Sequence, residues 1–243
     1  LIPAEGGNSV SEIMQNGLDR VKAQRDSTGI PMFLHINHPN FVWAITPEDI
    51  IALDGERFFE VYNGHPQVNN YGDSLRPSME VLWDKVQAAY LESGKPLLYG
   101  LAVDDAHNYH VFDQNSSNPG RGWVMVLAES LDPASLIEAM ERGDFYSSTG
   151  VTLEEIDFDG KSLKVEVLPE EGIAYTIQFF GAKKSNPEDG GVLLKEVLGK
   201  SASYSLGSDD MYVRAKIISS KSKENPYQIG DKEVAWTQPV VAN

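Results

Sequence analysis

The side chains with chemistry to offer gather in one stretch, LYGLAVDDAHNYH, residues 98–110. An apolar run through Leu101, Ala102 and Val103 stops at Asp104 and Asp105, with His107 and His110 just beyond. Carboxylates and imidazoles at the C-terminal end of a buried strand are how α/β sheets and barrels present metal ligands and catalytic groups. Asp105 and His107 stand two apart, so an extended backbone aims both to one side, about 6.5–7 Å apart along the chain. That is close enough to share one cation. The plainer alternative is a polar turn in which His107 bonds a backbone carbonyl.

The pattern recurs twice upstream. PMFLHI runs into Asn37-His38-Pro39, and RFFEVYN runs into Gly64-His65-Pro66. All five histidines fall between positions 35 and 110, and four of them (His35, His38, His65, His107) stand at these ends. His38 either ligates or caps a loop, and His35 reads as a structural histidine. Asn63 and His65 either touch substrate or shape a turn. Arg121, flanked by glycines in GRGW, offers a guanidinium able to fork onto phosphate oxygens, or is an ordinary surface arginine. Asp104 could ligate, orient a neighbour or be solvated.

The elements that must position these groups follow from spacing. Val10, Ile13, Met14, Leu18 and Val21 repeat at helical intervals over residues 9–24, and Ser9 with Glu12 makes a capping box. Thr46-Pro47-Glu48-Asp49 opens a short helix, and Pro77-Ser78 opens a longer one through Ser93 with Met79, Leu82, Val86 and Tyr90 on one face. WVMVLA, residues 123–128, reads as another buried strand, and Asp132-Pro133 starts a helix that stops at Gly143. This alternation implies a largely parallel sheet with covering helices, its strand C-termini on one side. Past Gly150 short β-rich runs take over, beginning with LEEIDF and SLKVEV about Asp159-Gly160-Lys161, a hairpin signature. The expected organisation is an α/β domain over 1–150 and an antiparallel β-sandwich over 151–243, with 186–191 and 221–225 as exposed loops.

Composition narrows the function classes. The net charge of −16 repels phosphate backbones and anionic membrane surfaces, so nucleic acid is an unfavourable partner. No apolar run is long enough to span a bilayer. With no cysteine there is no disulfide and no thiolate metal site, which leaves His, Asp and Glu as ligands. The chain opens at Leu1 without Met or leader-like residues, which reads as a processed product or the back part of something longer.

HINHPNF, FEVYNGH, GLAVDDAH, GRGW and GDFYSSTGV, in this order, resemble the C-terminal half of a PHP (polymerase and histidinol phosphatase) domain over about residues 30–150. They are most similar to its metal-dependent phosphoesterase branch. The resemblance implies the C-terminal part of a distorted (β/α)7 barrel followed by a sandwich accessory domain. It further implies two or three divalent metal ions (zinc, iron or manganese) and hydrolysis of phosphate esters by a metal-activated water. Carried over, His38, Asp105 and His107 are metal ligands, with Arg121, His65 and Asn63 toward a small phosphate ester. Asp104 departs from the small residue usual there. The family's first His-x-His motif, its following Asp, and a later Glu and His would lie upstream of Leu1, in a segment of the same protein that would complete the site. The rivals are a non-catalytic carbohydrate- or protein-binding module and a barrel metallohydrolase acting on amides. The sandwich and the chain's start point to an exported or periplasmic bacterial protein rather than a cytoplasmic one.

Overall fold

A computed structural model describes residues 5–242; Leu1, on which the reading of a longer parent rests, lies outside them. Helix α1 (Val10–Thr28) starts where the Ser9 hydroxyl accepts the Glu12 N–H and ends at Gly29, whose φ of 65° suits a residue without Cβ. A short extended segment then reaches Ile36, which bonds on both sides of Phe59: Ile36 N–H to Phe58 O and Glu60 N–H to Ile36 O. Helix α2 (Pro47–Ile51) is held by a complete Thr46–Asp49 capping box. Strand β1 (Phe58–Asn63), helix α3 (Met79–Glu92) and strand β2 (Tyr99–Val103) form a strand–helix–strand unit with β1 and β2 parallel. Met79, Leu82, Trp83, Val86 and Tyr90 of α3 are buried against Ile36, Phe59, Val61 and Leu98. A Cβ on Gly100 would sit 2.8 Å from the Trp83 indole, so glycine is what lets that ring lie on β2.

Strand β3 (Trp123–Val126), helix α4 (Pro133–Arg142) and strand β4 (Phe145–Ser148) come next. They are followed by β5 (Leu153–Phe158), β6 (Ser162–Val167), β7 (Tyr175–Gly181), β8 (Val192–Leu198), β9 (Ser201–Ser205), β10 (Arg214–Ser222) and β11 (Lys232–Thr237). A six-stranded antiparallel sheet runs β3-β4-β11-β10-β7-β8, and a three-stranded one runs β5-β6-β9. Leu163, Val165 and Val167 from the smaller sheet and Ile177, Phe179, Ala215 and Ile217 from the larger share one core. Burial alternates along β6 and β7, the period-two pattern of strands with one face inward.

This architecture corrects the expected one. The protein is mostly β, 31% strand against 21% helix, with several antiparallel sheets, and it is not a (β/α)7 barrel portion followed by a small sandwich. Parallel pairing is confined to β1, β2 and the Ile36 bridge among the described residues. WVMVLA misled because a short apolar run reads as a buried parallel strand. It is instead an edge strand paired antiparallel to β4, with Trp123, Met125 and Leu127 exposed at 37%, 41% and 80%. The chain on either side of residue 150 is joined by pairing, since β11 bonds β4.

The joint between the parallel unit and the large sheet is polar and buried. The free edge of β2 is satisfied by side chains: Ser147 Oγ accepts from Ala102 N and donates to Gly100 O, while Gln238 bonds both polar groups of Gly100. Arg214 on β10 makes a two-pronged pair with Asp84 on α3, at 2.8 and 2.6 Å, and Tyr212 donates to the same carboxylate at 2.7 Å. No helix among the described residues is long and apolar enough to cross a membrane.

Candidate functional site

Because the Ile36 segment, β1 and β2 are parallel neighbours, their C-terminal ends open on one side. His38 leaves the first, Asn63 and His65 the second, Asp105 and His107 the third. Two of these residues sit at positive φ without being glycine, His38 at 26° and Asp105 at 50°. Such backbone is costly and concentrates where a side chain must be aimed.

At the centre of the group lies Glu60, 3% exposed. Its Oε2 accepts the His38 backbone N–H at 2.6 Å and the Asn63 amide at 2.9 Å, and its Oε1 lies 3.1 Å from His35 Nε2. The Asn63 amide also donates to Asp105 Oδ2 at 3.2 Å, and its Oδ1 accepts the His65 N–H at 2.8 Å. Asn63 thus ties β1, the His65 turn and the Asp105 loop together, itself clamped by Asn70 through two backbone bonds. The rings of His38, Phe41, His65 and His107 follow one another across the opening at centroid distances of 5.2, 6.1 and 5.7 Å.

The partners assign tautomers. His107 Nδ1 lies 2.7 Å from the Asp105 carbonyl, so it carries the proton and leaves the Nε2 lone pair facing outward, as a ligand requires. The carbonyl bond foreseen as the plainer reading is therefore present, and it orients the ring. His65 Nδ1 instead accepts the Gln67 N–H at 3.2 Å, so the neutral ring has its proton on Nε2 and is a donor. Burial holds His65 below the usual histidine range, Asp105 pulls it back up, and His107, His38 and Arg121 push it down further. A neutral imidazole with Nε2–H available can donate to an acceptor oxygen.

Not every expected residue arrives in its expected role. Arg121 is not an exposed fork: it is 1% exposed, and its guanidinium donates to the carbonyls of Gly64 and Asp113 and to Asn225 Oδ1. Of its two glycine neighbours Gly122 serves close packing, since a Cβ there would meet Val103 O at 2.8 Å, while Gly120 faces open space at a φ of 80°. Asp104 accepts the Gly120 N–H and closes its own loop, and His110 is exposed. Glu60 was missed because a carboxylate within FFEVYN reads as one outward residue of a strand. Its one signal is that it is the only charged residue between Arg57 and Gly64.

The donor types suit a borderline divalent cation. As placed, no three or more His, Asp or Glu side chains among the described residues converge closely enough to hold one. A cavity of about 640 Å³ lies elsewhere, lined by Tyr99, Met125, Phe145, Tyr146 and Phe158. It has volume without a histidine or a buried carboxylate, so the chemistry directs attention to the strand ends instead. Comparison with known protein families, characterised proteins and solved structures returns no match.

Proposed function

We propose that this protein is a metal-dependent hydrolase of phosphate esters, acting at the strand ends that carry His38, His65, Asp105 and His107. The observation that carries the reading is the gathering of these residues about the buried Glu60–Asn63 pair. The sequence resemblance to PHP-type phosphoesterases adds the reaction class. His38, Asp105 and His107 would supply part of the cage for the metal ions (zinc, iron or manganese), whose remaining ligands the described residues as placed do not gather. Such ions, when bound, lower the pKa of water and neutralise phosphoryl charge. Glu60 fixes the His38 turn through its backbone N–H, and Asn63 orients Asp105. His65 donates from Nε2 toward a phosphate oxygen, the role Arg121 is too committed to fill. The acidic protein surface, −16 overall, favours substrates of low net charge.

The test is hydrolysis of p-nitrophenyl phosphate and bis(p-nitrophenyl) phosphate with added Mn²⁺ or Zn²⁺, alongside metal content per chain. Wild type should turn over at least one ester, Asp105→Ala should lose more than about 100-fold of that rate, and its circular dichroism should be unchanged. Equal rates in the variant would overturn the reading. A non-catalytic binding module is the second reading, favoured by the lack of an assembled ligand trio. It gains if metal binds at no more than one equivalent and no ester is cleaved.

A further inference from the structure

The connection between β10 and β11 comes from the antiparallel part of the molecule, yet three of its side chains reach back to the turn that carries His65. They are alternate residues, Lys223, Asn225 and Tyr227, in a stretch past the end of β10 whose backbone bends at 224–225 and 227–228. Lys223 Nζ donates to Tyr62 OH at 3.1 Å and lies 4.3 Å from the centre of that ring. Asn225 Oδ1 accepts from Arg121 Nη2 at 2.9 Å, and Arg121 Nη1 donates to Gly64 O at 2.9 Å. Tyr227 OH donates to Val68 O, and its ring meets Tyr71 at 5.6 Å. The turn from Tyr62 to Val68 is therefore gripped at its start, its middle and its end.

The middle grip extends further. The same Arg121 Nη2 donates to Asp113 O at 2.7 Å, in the loop that bears Asp105 and His107. Gly64 gives the arginine its approach, since a Cβ there would stand 2.5 Å from Arg121 Cβ. These bonds are shielded: Arg121 and Val68 are 1% and 0% exposed. Lys223, Asn225 and Tyr227 are half-buried while Glu224 between them is exposed, so the segment is partly inserted and not the fully exposed loop the sequence suggested, and burial draws the Lys223 ammonium down to about 8.

We infer that residues 223–227 form a positioning clasp, which through Asn225 and Arg121 holds the His65 turn in register with the Asp105–His107 loop. Lys223, Asn225 and Tyr227 are positioning residues, and none of them touches the histidines. The antiparallel sheets thus act as part of the site's framework and not as a separate attachment. The clasp is a matter of geometry and holds whether the site hydrolyses, binds or does neither.

Hydrogen exchange on the unliganded full chain tests it, read by mass spectrometry on peptides covering 62–70, 104–120 and, as reference, 175–181 and 214–219. Asn225→Ala should speed exchange about tenfold in both site segments while leaving the reference strands unchanged. Asn225→Asp keeps an acceptor for the guanidinium and should restore protection. Tyr227→Phe removes a single hydroxyl, folds even if the alanine variant does not, and should loosen 62–70 alone. Acceleration confined to 221–231, or none in either site segment, would overturn the clasp. So would equal acceleration of the reference strands, which would make the effect global.

Discussion

Asp84→Asn isolates the joint between the parallel unit and the large sheet. Asp84 and Arg214 are 3% and 1% exposed, and the carboxylate also receives the Tyr212 hydroxyl. Gly191 backs it so closely that a Cβ there would fall 2.3 Å from Oδ2, which leaves no room to readjust. Asparagine keeps the size but removes the charge, leaving a guanidinium buried between Trp83 and Phe180, whose ring centres are 4.8 and 5.1 Å away. Removing one partner of a buried pair costs about 3–5 kcal/mol. Glu80 Oε2 stands 3.7 Å from Arg214 Nη2 and takes part of the charge, which argues for the lower end, about 3 kcal/mol. For a domain of this size that lowers the melting temperature by about 6–12 °C. The assay is paired thermal and urea unfolding of wild type and variant. A fall below about 1 kcal/mol at unchanged m would refute the assignment of Arg214 to Asp84 as the charge that matters. The double change Asp84→Leu with Arg214→Met should recover most of the loss, because the cost lies in the orphaned charge and not in the missing pair.

Two further outcomes follow from buried polar groups. Burial pushes Glu56 up to about 7 against an ordinary 4.5, although the N–H groups of Phe58 and Arg57 both bond its Oε1. A raised folded value means stability present below pH about 4.5 and lost as pH climbs through about 7, a difference of about 3 kcal/mol. Glu56→Gln should therefore flatten the stability profile between pH 5 and 8 relative to wild type; parallel profiles would contradict this. Ser147→Ala strands the Ala102 N–H inside the joint and should cost about 1–3 kcal/mol in urea unfolding, with β2 peptides losing exchange protection first. No loss of protection there would show the β2 edge to be held by Gln238 alone.

Much of this protein was legible in order along the chain. Helices α1 and α3 announced themselves by caps and apolar spacing, and the β5–β6 hairpin by Asp159-Gly160, because each is decided within a few residues. The candidate site was legible for a related reason. His38, Asn63, His65, Asp105 and His107 each end an apolar run, and three such ends meet wherever the runs are parallel neighbours. Local pattern carries no information on which partner a strand takes, and there the reading went astray. WVMVLA has the composition of a buried parallel strand, yet it pairs antiparallel with β4 at a sheet edge, an outcome set by how the chain returns through α4. Burial of charge is decided in the same way. Within FFEVYN only the isolation of its charge hints at Glu60 as the site's hidden acceptor, and nothing within GRGW marks Arg121 as an internal tie, since the partners that decide these roles lie many residues away. Residue types and their spacing determined which groups were available for chemistry. Tertiary structure alone decided which were spent holding the site together and which were left facing outward, because desolvation and long-range bonding exist only once distant segments meet.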